Sequence, residues 1–119
     1  MVPLDKSLYF GKVEYMNWDI KESKNLIKAI LSLETENEAR RFLRDLMTEN
    51  EIEEFSKRLD AAELLFENIS YDEVKKRIGL SSRTIARVSK WLNNGEGGYK
   101  LILNKIHHHN SIQLRRGLS

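Results

Sequence analysis

Between Lys12 and Asn93 the chain contains no proline and a single glycine, Gly79. These two residue types are the strongest helix breakers, unfavourable by ~3 and ~1 kcal/mol in a helix interior relative to alanine. A stretch this long with one breaker favours long helices. No run of four or more residues alternates between apolar and polar with β-branched enrichment, so no segment reads as a strand. The sequence therefore predicts an all-α protein. At 119 residues it fits one compact domain with a modest core, because a domain of this size buries only about two-thirds of its unfolded surface. There are no cysteines, which excludes a disulfide scaffold, a thiolate metal site and cysteine catalysis. No apolar run reaches the ~18 residues of a bilayer span, and the N-terminal MVPLDKSLYFGKVEYMN carries charge where a signal peptide would be apolar. The expectation is a soluble, cytoplasmic chain with no membrane partner.

Capping signals divide the helical region. A first helix is expected over about 18–32, with Ile20, Ile27, Ile30 and Leu31 on one face and Asn17, Asp19 or Ser23 as its cap. A second, about 36–46, sets Phe42, Leu43 and Leu46 against Arg40, Arg41 and Arg44. Thr48 with Glu51 three residues on forms a capping-box pattern that opens a third helix running to about Asn68. Its apolar positions Ile52, Phe55, Leu59, Ala62 and Phe66 make one stripe, and at about 30 Å it would be the central element. Ser70 with Glu73 repeats the device and opens a fourth helix, Tyr71 to Ile78, which Gly79 ends by supplying a left-handed residue. Ser81 caps a fifth, Ser82 to about Asn93. Two short helices across a glycine-containing turn, residues 70–93, are a helix-turn-helix pattern. One more short helix fits Tyr99 to Ile106. The resulting organisation is an N-terminal arm over 1–16, a single helical domain over 17–106 and a disordered tail over 107–119. His107, His108 and His109 read there as a solvated tail or a tag remnant, not a metal site.

The formal charge of +2 conceals a division. Residues 34–67 carry eleven acidic groups against five basic ones, whereas residues 70–92 carry six basic groups against Asp72 and Glu73. On a helical wheel with Ile85 at zero, Leu92 and Val88 lie at about 340° and 300°, while Arg83, Arg87 and Lys90 lie at about 160°, 200° and 140°. The cations thus occupy the face opposite the apolar stripe. Ser82, Arg83 and Thr84 fall in the first turn, where a recognition helix presents side chains to base edges, and Lys75 and Lys76 point outward from the preceding helix. A basic helix face is by itself most often only solvated. Its conjunction with two capped helices, a short glycine turn and an acidic neighbouring segment points to a polyanion, and specifically to double-stranded DNA.

The run MTENEIEEFSKRLDAAELLFENISYDEVKKRIGLSSRTIARVSKWL resembles the tryptophan repressor superfamily, most of all its YerC/YecD branch, over about residues 43–105. The matching features are Leu46-x-Thr48, Arg58, Ser70, Ile78-Gly79, Thr84-Ile85 and Arg87. The resemblance implies a tryptophan-repressor-like helical bundle, an intertwined homodimer, and operator binding through paired helix-turn-helix units. It places Tyr71, Asp72, Lys75, Ser82, Arg83, Thr84 and Ala86 where the family's repressors meet DNA, beside the Arg87 and Lys90 of the basic face. Asp72 stands where the tryptophan repressor has a guanine-reading arginine. An aspartate there would repel phosphate or accept from cytosine, so any operator should differ. Tyr71 replaces a glutamine.

The same resemblance implies an effector pocket from Thr48, Arg58 and Arg87, in which Val88 replaces glycine and Trp91 replaces serine. Two bulky side chains in the space of an indole are costly to accommodate. L-tryptophan is therefore not expected to bind, and no other effector and no cofactor is indicated. Trp91 reads equally as a core or interface aromatic, and Arg58 as the partner of a carboxylate on its own helix. Enzymatic signals are absent: Glu63 and Glu67 are paired carboxylates in a segment so acidic that such pairs arise by chance. The expectation is a homodimeric DNA-binding transcription regulator, a repressor in type. The competing reading is a helical protein–protein interaction module that binds no nucleic acid.

Overall fold

The third helix opens on the device the sequence announces. The Thr48 N–H donates to Glu51 Oε1 at 2.9 Å while Thr48 Oγ1 accepts from the Glu51 N–H at 3.1 Å, the full capping box. In the computed structural model, which describes residues 16–115 and their side chains through His107, every regular element is a helix. They are α1 (Lys21–Leu31), α2 (Glu36–Leu46), α3 (Glu49–Phe66), α4 (Tyr71–Ile78), α5 (Ser82–Asn94) and α6 (Gly98–Arg115). The chain divides into two compact units between Leu43 and Arg44. The expected arm lies outside the described residues except for Met16.

In the first unit α1 begins at Lys21, later than expected. Its N-cap is Ile20, which offers no side-chain acceptor. Of the three expected caps, Asn17 accepts from the Asp19 N–H in the preceding turn, and Ser23 is buried within the helix itself. The apolar face of α1 is left bare, with Ile20, Leu26, Ile27, Ile30 and Leu31 all exposed. Thr35 precedes α2 and accepts from the Glu38 N–H at 3.1 Å, a cap that the Thr-x-x-Glu spacing carried and the sequence reading passed over.

The second unit holds the core. The 18 residues of α3 span about 27 Å and pack against α4, α5 and α6, while α5 packs on α4 and α6. Ala61 and Ala62, fully buried, let the helices approach closely, and Val74, Leu80, Ile85, Val88, Leu92 and Leu103 complete the cluster. The expected α3 stripe is covered at its two ends, partly at Ile52 and more fully at Ala62 and Phe66. Phe55 and Leu59, in the middle of the helix, remain exposed. Asn68, at φ 66°, ends α3: the Ile69 N–H reaches Leu64 O and the Asn68 N–H reaches Leu65 O, both at 3.0 Å. This is a Schellman closure with asparagine as the left-handed residue. Gly79 plays that part after α4, at φ 77° with its N–H on Lys75 O. Ser70 Oγ accepts from the Glu73 N–H at 3.3 Å, but the Glu73 carboxylate turns to Arg77 Nε at 2.8 Å, so the expected box at α4 is only half formed.

The tail reading is corrected in part. The last helix, expected to stop at Ile106 before a disordered 107–119, continues to Arg115. No glycine or proline interrupts it before Gly117, and His107 packs edge-on against Phe66 with ring centres 6.2 Å apart. Residues 116–119 lie outside the described residues. No helix among the described residues is long and apolar enough to cross a membrane.

Candidate nucleic-acid interface

α5 buries Ile85, Val88, Ser89 and Leu92 and turns Ser82, Arg83, Ala86, Arg87 and Lys90 outward, as the periodicity requires. Its N-cap, Ser81, accepts from the Thr84 N–H at 3.1 Å and donates its hydroxyl to Thr84 Oγ1 at 3.0 Å. That fixes the first turn and leaves Thr84 half-buried, with its hydroxyl proton free to donate elsewhere. Tyr71, Asp72, Lys75 and Ser82 come together around a cleft of about 130 Å³ between the first turns of α4 and α5. Lys75 and Lys76 are exposed beside it.

Some of the cations are held by carboxylates and others are not. Arg40, Arg44, Lys57, Arg58 and Arg77 each pair with a carboxylate at 2.8–3.2 Å. Among the described residues, Arg83, Arg87, Lys75 and Lys76 form no ion pair. The helix-turn-helix thus presents four uncompensated cations on or next to one face, and an exposed cation without an internal partner is available to a phosphate.

The hydroxyl of Tyr71 is turned to α5. It donates to Ser89 Oγ on α5, and Asn93 Nδ2 donates to Ser89 O at 2.9 Å and to Ser89 Oγ at 3.5 Å. Sequence reasoning missed Ser89 and Asn93, since the Tyr71–Ser89 bond that gives them their part spans eighteen positions and leaves no periodic signal.

The five residues of the implied effector pocket are dispersed over the single chain. Val88 is 0% exposed in the core, and Thr48, occupied by its cap, lines a polar depression with Arg44 and Glu49. Arg87 stands on the outer face. Only Arg58 and Trp91 meet, with the guanidinium 6.0 Å from the Trp91 ring and 5.4 Å from that of Phe55. Arg58 Nη2 bonds Glu54 at 2.8 Å, and its buried Nε has no hydrogen-bond partner among the described residues. Trp91 stands at the surface. At 43% exposure it walls an apolar groove of about 630 Å³ with Leu59, Tyr99 and Ile102. Burial there raises the pKa of Tyr99 above its ordinary value, a shift the nearby Arg58 charge opposes.

An all-helical chain with a capped helix-turn-helix on a long central helix has its counterpart among known proteins. The sequence profile of the Trp repressor protein family matches residues 21–107, and the chain belongs to that family of transcription regulators, which are not enzymes. It is 38% identical over 86 residues to the uncharacterized protein YerC of Bacillus subtilis (strain 168), covering 72% of this chain and 83% of YerC. Two crystal structures resemble it. A TrpR-like protein from Eubacterium eligens ATCC 27750 aligns with a TM-score of 0.73 at 34% identity, over 76% of this chain and 93% of that one. A putative Trp repressor from Staphylococcus aureus aligns at 0.72 and 32%, over 78% and 96%.

Proposed function

We propose that the protein is a homodimeric transcriptional repressor that binds double-stranded operator DNA through α4 and α5. The observation that carries this reading is the outer face of α5, where Arg83 and Arg87 stand exposed together opposite the buried stripe, without an ion pair among the described residues. Ser82, Arg83 and Thr84, in the first turn, read base edges. Lys75, Lys76, Arg87 and Lys90 position the helix on phosphates, and Ala86 offers an apolar contact to a thymine methyl. Asp72, at the rim of the same cleft, selects against the arginine-read guanine of the tryptophan repressor.

Fluorescence anisotropy with genomic fragments tests it. Binding should weaken steeply with salt, and Arg83→Ala with Arg87→Ala should weaken it further and flatten the salt dependence by about one unit of slope per phosphate contact removed. Binding that ignores salt or survives both substitutions would sink the reading.

The second copy of the chain supplies cover for apolar surface that one copy leaves open: Phe55 and Leu59 on α3, Leu101, Ile102 and Ile106 on α6, and the bare face of α1. Two-fold symmetry would hold the recognition helices about one DNA turn, ~34 Å, apart. The same surfaces favour the competing protein–protein module, whose partner would survive pull-down from nuclease-treated lysate. L-tryptophan is not the effector on this reading, because Val88 belongs to the core and Thr48 to a cap. Calorimetry should detect no binding tighter than about millimolar.

A further inference from the structure

We infer that the hydrogen-bonded chain Tyr71–Ser89–Asn93 sets the angle at which α5 is presented to DNA, making Tyr71 and Ser89 positioning residues for operator binding. The inference rests on the DNA-binding reading above. Tyr71 is the first residue of α4, and Ser89 lies two turns into α5. The turn Gly79–Leu80–Ser81 joins the two helices at their other ends. Each arm from that turn to the bond is about 10–12 Å long, at 1.5 Å per residue. A turn alone would leave a hinge, in which a small rotation displaces the first-turn residues relative to the bases. A bond across the open side of the angle closes the triangle. Val74 on α4 and Ile85 on α5, both buried, fill its interior.

The chemistry suits that task. Ser89 is 8% exposed, on the inward face among Ile85, Val88 and Leu92, so it has no route to a DNA contact. Its hydroxyl oxygen accepts from Tyr71, whose ring remains 51% exposed, and Asn93 holds the serine from one turn further on. Breaking the Tyr71 bond removes a net interaction and leaves a buried hydroxyl short of a partner. The consequence reaches DNA only through the placement of Ser82, Arg83 and Thr84.

A double-mutant cycle in the full-length protein tests this. Tyr71→Phe, Ser89→Ala and the double variant are compared with wild type for affinity to a genomic fragment that the wild type enriches, and to an unrelated duplex of equal length. Circular dichroism sets a temperature at which all four are folded. Each single variant should lose about five- to tenfold in affinity for the enriched fragment. The double variant should lose no more than either single one, and affinity for the unrelated duplex should stay unchanged. Additive losses, a Ser89→Ala variant that binds like wild type, or equal losses on both duplexes would overturn the inference. A lowered melting temperature with unchanged affinity would do the same, since the bond would then serve stability alone. If wild type shows no salt-sensitive binding, the DNA reading falls and the inference with it. Wild-type binding with unaffected variants removes the clamp and leaves the DNA reading standing.

Discussion

α1 and α5 are both strongly amphipathic, yet the chain treats them in opposite ways. α5 buries Ile85, Val88 and Leu92 almost completely against α3, α4 and α6. α1 carries a comparable row, Leu26, Ile27, Ile30 and Leu31, and leaves it exposed, burying only Ser23. An apolar face earns its stabilisation only when water is removed from it, at about 25 cal/mol per Å². α5 finds its cover within its own unit, whereas the first unit offers none for the row on α1. Mutation can probe each side of that difference.

The largest expected effect lies on the self-covered side. Ile85→Ala removes a fully packed side chain and should destabilise the protein by about 2–5 kcal/mol in urea unfolding, at all protein concentrations. The bare side should behave differently. Ile27→Glu should shift sedimentation toward monomer and abolish any dependence of the melting temperature on protein concentration, while far-UV circular dichroism retains a helical spectrum. A dimer that persists would show that α1 is not the face a second copy covers. Ser81→Ala removes a cap without touching either apolar face, and should lower stability by about 1 kcal/mol and loosen the first turn of α5.

The smallest effect concerns acid. The Thr48 backbone N–H, and then its hydroxyl, hold the Glu51 carboxyl below its ordinary pKa. With the folded value lower, the unfolded chain takes up the proton more readily. The stabilisation is therefore present above the ordinary carboxylate range and is lost as pH falls through the folded value. The gap in melting temperature between wild type and Glu51→Gln should be widest near neutrality and close as the pH falls below the ordinary carboxylate range.

What was legible in the sequence was mostly local. Thr48, Ser70, Ser81 and Gly79 mark helix boundaries through bonds spanning three or four residues, and the structure places those boundaries where they indicate. The start of α1 was missed because Ile20 caps it without a side chain. The end of α6 was missed because its outward Leu101, Ile102 and Ile106 blur the periodicity expected of a helix with one buried face. The basic face of α5 was legible for the same reason its core face was, since both follow the 100° step. Ser89 was not, because its role arises from a partner on another helix.

The three-residue connection between α5 and α6 carries a further consequence. A β-carbon on Gly95 would stand 2.4 Å from the carbonyl oxygen of Trp91, so the chain must leave α5 at that point with that residue. What is fixed there is the exit from the helix: any side chain at Gly95 would press on the carbonyl that accepts its own N–H, so Gly95→Ala should unwind the last turn of α5.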